Sequence, residues 1–74
     1  MSYAVILFPS IHHAIRAEKK AKENGFSVKL IPVPRHLSSD CGVCLRCSFE
    51  QREILKCFLQ QEGVKIEGTH SLET

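Results

Sequence analysis

Apolar and polar positions along this chain change period several times, and each change marks an element. Tyr3 to Phe8 is an unbroken apolar run closed by Pro9-Ser10. It is too short for a helix, and such a run before a stop predicts a strand buried on both faces. Ser10 is placed to cap a helix, in which Ile11, Ala14, Ile15, Ala17, Glu18 and Ala21 recur at helical spacing with charges opposite, until Gly25 ends it. Phe26, Val28 and Leu30 then alternate with Ser27 and Lys29, the period of a half-buried strand.

The next stretch, Pro32 to Asp40, carries two prolines and a serine-aspartate cluster, which predicts a stiff surface loop. Val43, Leu45 and Cys47 share one parity and predict a third strand from Cys41 to Cys47, paired beside Tyr3 to Phe8. Ser48-Phe49-Glu50-Gln51 has the form of a capping box, so a second helix is expected from Phe49, with Ile54, Leu55, Phe58 and Leu59 as its buried stripe and Gly63 as its stop. Val64 and Ile66 are expected to open a last strand. The order strand, helix, strand, strand, helix, strand is that of the split βαβ motif, a ferredoxin-like α/β (α+β) fold with a four-stranded sheet and two helices on one face. One domain is expected over residues 1–67, with 68–74 as a frayed polar tail.

A chain of 74 residues has room for one core, and a domain this small hides only about 60% of its unfolded surface, so any site should be simple and near the surface. No secretory leader is recognisable before the first strand and no apolar run approaches a membrane span, so a cytoplasmic protein without membrane contact is expected. A formal net charge of +2 with few aromatics gives no sign of a nucleic-acid partner, and Arg16, Lys19, Lys20 and Lys22 read as a solvated helix face.

The chemistry concentrates in Cys41-Gly42-Val43-Cys44-Leu45-Arg46-Cys47, with Cys57 further on. In a reducing compartment such cysteines are metal ligands, redox groups, carriers or core residues before they are disulfides. A metal or iron–sulfur site would use Cys41, Cys44 and Cys47, but alternation along a strand turns Cys44 away from the other two. Cys41 and Cys44 also form a C-x-x-C of thioredoxin type, although no helix is expected to start there to acidify the first thiol. Cys47 and Cys57 suit the usual place of a free cysteine, in or beside the core. Cys41 stands apart: it follows a rigid polar loop, adjoins Gly42, and has Arg35 and His36 close in sequence to favour its thiolate.

At these residues the sequence resembles a family of small bacterial proteins described as selenium/sulfur carrier-like. The resemblance runs from the opening strand through Ser10-Ile11-His12-His13-Ala14 with Glu18, Pro32-Val33-Pro34-Arg35, and Leu37-Ser38-Ser39-Asp40-Cys41-Gly42, of which Ser-Asp-Cys-Gly after Pro-x-Pro-Arg is the most specific part. It implies a carrier thiol at Cys41, with Ser39, Asp40, Gly42, Arg35 and His36 around the bound atom. Sulfur or selenium donor and acceptor proteins would be its partners. On this reading the protein is a shuttle holding a persulfide-type adduct, with no cofactor and no catalytic apparatus of its own, and Cys44 and Cys47 are additions to the family pattern. Cys41 is further expected at a sheet end where the second and fourth strands finish, near His70, with no helix N-terminus close by.

Overall fold

The computed structural model describes residues 2–37 and 42–72. The apolar run at the N-terminus forms β1 (Tyr3–Leu7), followed by α1 (Ile11–Glu23), β2 (Lys29–Pro32), β3 (Val43–Ser48), a 3-10 turn at Phe49–Gln51, α2 (Arg52–Gln61) and β4 (Gly68–Leu72). The sheet order is β2-β3-β1-β4, and every neighbouring pair is antiparallel. With α1 and α2 against the same face, this is the ferredoxin-like arrangement expected from the order of elements.

β1 is central because both its faces are apolar. Ala4, Ile6 and Phe8 point to the helices and join Ala14, Ala17, Ala21, Leu45, Cys47, Leu55, Leu59 and Val64. Val5 and Leu7 point the other way and join Cys44, with Ile31, Val33, Leu37 and Leu72 packed around them. The face opposite the helices is therefore partly roofed by the chain leaving β2. Phe26 and Val28 pack on the helix-side core as their parity requires, but the ladder with β3 begins only at Lys29. Pro32 is tolerated because β2 is an edge strand, where its missing N–H breaks no central bond.

Several expectations are corrected. The buried stripe of α1 consists of Ala14, Ala17 and Ala21, whose small side chains let the helix lie close to the sheet; Ile11 and Ile15 are 47% and 51% exposed. Ile54 of α2 is likewise 65% exposed, and Leu55 and Leu59 carry that helix's burial. Neither serine caps a helix through its hydroxyl. Ser10 Oγ is instead hydrogen-bonded to His13 Nδ1 at 2.7 Å. Ser48 is still a strand residue opposite Tyr3, and the chain turns through the 3-10 segment before α2 begins at Arg52. The Arg52 guanidinium stacks 3.5 Å from the Phe49 ring centroid and its Nη1 donates to the Phe49 carbonyl at 2.6 Å, fastening that turn.

The last strand is not at Val64–Ile66. Val64 is buried and Ile66 packs on the helix-side core, where they fill the space below the end of α2. Gly68–Leu72, expected to fray, pairs along the whole of β1. Among the described residues no helix is long and apolar enough to cross a membrane.

Candidate functional site

The candidate site grows out of the loop between β2 and β3. Its two ends are tied together where the Val33 amide donates to the Gly42 carbonyl at 3.2 Å. Pro34 to Leu37 make a turn closed by the Leu37 amide on the Pro34 carbonyl at 3.0 Å. Proline at the start of this stretch has its backbone preset for turning, and Val33 and Leu37 anchor it by packing on Val5, Leu7 and Cys44. Arg35 and His36 are left exposed at the turn. Ser38, Ser39, Asp40 and Cys41 lie outside the described residues, so the expected carrier thiol is bracketed by Leu37 on one side and Gly42 on the other.

Gly42 is exposed and adopts φ +80°, a left-handed conformation that L side chains rarely take. A Cβ there would meet nothing within 4 Å, so the demand for glycine comes from the backbone and not from crowding. Its neighbour Val43 opens β3, and Leu7 stands opposite Cys44. Hence the end of the sheet at Gly42 is the end where β1 finishes and α1 starts. The expectation for this end is overturned on two counts. β4 begins here, with Gly68 opposite Leu7, and His70 sits further along opposite Val5. The first turn of α1, with His12 and His13, stands at this end as well. The reason is the antiparallel β1–β3 pairing, which brings the start of β3 to the exit of β1.

The remaining thiols have distinct surroundings. Cys44 is fully buried on the face away from the helices, its Sγ 4.0 Å from the Pro32 carbonyl oxygen. Cys47 is buried on the helix side, where loss of water raises its thiol pKa above the ordinary 9.0 and the nearby Arg52 charge pulls it partly back. The two therefore point from opposite faces of β3, which keeps them from converging on one ion while the strand is intact. Among the described residues no group of three or more His, Cys, Asp or Glu is arranged to hold a metal ion. A strand, not a helix, follows Gly42, so the geometry that acidifies a thioredoxin-type thiol is missing from Val43 onward. Cys57, expected in or beside the core, is exposed on α2 next to Ile54 and Phe58.

Native-state alkylation should follow this order: Cys57 reacts without unfolding, whereas Cys44 and Cys47 react only as fast as the sheet opens. Peptide mapping after a short iodoacetamide pulse checks it, and modification of Cys44 ahead of Cys57 would contradict the burial described. Cys47 also gives a pH dependence with a definite sign. Its folded pKa lies above its unfolded one, so the folded state holds the proton longer. The associated stability is fully present below the unfolded thiol pKa and is lost as pH rises through the folded one. Urea midpoints should therefore fall more steeply above pH 9 or so in the wild type than in Cys47→Ala.

Arg46 holds its guanidinium 4.5 Å from the Tyr3 ring centroid. Tyr3, Ser27, Val28, Lys29, Arg46, Cys47 and Ser48 line a cavity of about 330 Å³ where β2 parts from β3. Nothing in the sequence singles out this grouping, because it depends on the register Lys29↔Arg46.

Fold and loop together define a small α+β protein in which the described ends of the β2–β3 connection are tied at one end of an antiparallel sheet. A family described as "Putative Se/S carrier protein-like" matches residues 3–71, and the chain belongs to that family. No curated protein and no solved structure gives a significant match.

Proposed function

We propose that the protein carries sulfur or selenium as a persulfide-type adduct on Cys41 and relays it between a donor and an acceptor protein. The observation that carries this reading is the family match across nearly the whole chain, taken with the exposed, left-handed Gly42 that follows the thiol. In the loading step the Cys41 thiolate attacks the terminal sulfur of a donor persulfide. A new S–S bond forms at Cys41, the donor's S–S bond breaks, and the donor leaves as a thiolate, so no external oxidant or reductant enters. Delivery is the same exchange with the acceptor's thiolate as nucleophile.

The thiolate needs stabilising, and three sources stand near the loop: the exposed Arg35 and His36, and the N-terminal turn of α1 at the same sheet end. Asp40 opposes them in sequence, so acidification of the thiol should be modest. A binding loop on a rigid sheet suits a carrier, which requires one accessible thiol and a docking surface. The test is intact-mass analysis of the protein after incubation with a cysteine desulfurase and cysteine. Gain of one sulfur atom that thiol reductant removes is expected; an unchanged mass, or a bound metal in its place, would remove the carrier reading.

A further inference from the structure

We propose that the cavity between β2 and β3 is an anion site, and that it takes a tetrahedral oxyanion such as the phosphate of a small phosphorylated compound. Lys29 and Arg46 are direct partners in the β2–β3 ladder, so their side chains leave the same face of the sheet from adjacent strands. Like charges so placed repel and weaken a sheet. Neither residue forms an ion pair among the described residues, whose ion pairs are Lys20–Glu62 and Lys22–Glu18 on the helices. Every described strand position on that face, Tyr3, Val5, Leu7, Lys29, Ile31, Cys44, Arg46, Ser48, Gly68, His70 and Leu72, lacks a carboxylate.

Both cations line the cavity of about 330 Å³, which no acidic residue enters. Tyr3, Ser27 and Ser48 add three hydroxyl-bearing side chains to the same lining. One guanidinium, one ammonium and hydroxyl donors suit a ligand with many acceptor oxygens, and a tetrahedral dianion offers more of them than a carboxylate does. The Tyr3 ring under the Arg46 guanidinium limits the orientations open to it, which lowers the ordering cost of binding. The cavity exceeds the volume of a bare oxyanion and leaves space for a substituent.

This site goes beyond the carrier reading. Gly42 precedes β3 and Arg46 is the first cavity residue along it, which puts about 13 Å of strand between Gly42 and the near edge of the cavity at ~3.3 Å per residue.

The experiment is a titration of the whole protein with inorganic phosphate and with sulfate, followed by amide NMR, against chloride at matched ionic strength. Saturable shifts at Tyr3, Ser27, Lys29, Arg46 and Ser48 are expected, weakened by about tenfold or more in Arg46→Gln, since a hydrogen-bonded charge is removed. Lys29 is exposed at the sheet edge, so Lys29→Gln provides a second variant if Arg46→Gln folds poorly. Without added anion and at low salt Lys29→Gln should melt higher than wild type, because the like-charge pair is gone, yet it should lose the rise in Tm that phosphate gives the wild type. Equal shifts with chloride, shifts centred on the lysines of α1, or an undiminished phosphate response in Lys29→Gln would each overturn the proposal.

Discussion

Replacing Cys41 with serine should abolish sulfur loading altogether, whereas Cys44→Ala and Cys47→Ala should load as the wild type does. Transfer to a thiol requires both a thiolate and access for the donor's terminal sulfur. Cys44 and Cys47 fail the second condition, being 0% and 1% exposed. Cys47 fails the first as well, since burial holds its thiol protonated. Cys57 is accessible but stands on α2, away from the loop, and the comparison is best made in a Cys57→Ser background so that casual modification there does not blur the result. Arg35→Ala and His36→Ala should slow loading severalfold, with their largest effect below the thiol pKa, where the thiolate fraction limits the rate. The measurement is the time course of sulfur gain by mass analysis across pH. Normal loading of Cys41→Ser would end the assignment of the carrier atom to Cys41.

Much of the sheet was legible in the chain, and the failures share a cause. β1 and β3 announce themselves because both faces of a central strand are buried, which leaves continuous or strictly alternating apolar residues: Ala4 to Phe8, and Val43, Leu45 and Cys47. The order of elements then led to the fold. β4 was missed because Gly68-Thr69-His70-Ser71-Leu72 has neither alternation nor an apolar run. As an edge strand it is held by backbone bonds to β1 and needs little from its side chains. Val64 and Ile66 were read as strand for the opposite reason, since their hydrophobicity serves packing under α2 and not pairing. His70 is a separate miss of strand direction: β4 begins at the Gly42 end of the sheet instead of finishing there, and His70 lies along it opposite Val5. The isoleucines Ile11, Ile15 and Ile54 show a related limit: helical spacing selects a stripe but not its centre, and three alanines define the centre in α1. Of the candidate site, the turn, the glycine and the separation of Cys44 from Cys47 were readable from turn chemistry and strand parity. The α1 N-terminus beside the loop and the Lys29–Arg46 pair were not, because each depends on a pairing register between distant segments.

Truncating Leu45 to alanine should leave the protein largely unfolded at physiological temperature. Leu45 is fully buried in β3, flanked in register by Ile6 on one side and Leu30 on the other, and it packs under both helices. Deleting a buried leucine side chain costs about 2–5 kcal/mol, made of lost transfer energy and of the cavity left behind. Small domains hold about 5 kcal/mol or little more in total, since they bury a smaller share of their surface than large ones. Relaxation at Leu45 is hindered because ladders on both sides fix the strand, so the cost should fall in the upper part of that range. Ile54→Ala removes an aliphatic side chain of the same size from a position 65% exposed on α2, and it should change stability by only about 0.5 kcal/mol. Urea unfolding followed by circular dichroism separates the two, with a collapsed or absent transition for Leu45→Ala and a near wild-type midpoint for Ile54→Ala. Comparable losses in both variants would mean that the outer face of α2 is buried in solution against something the isolated fold does not contain.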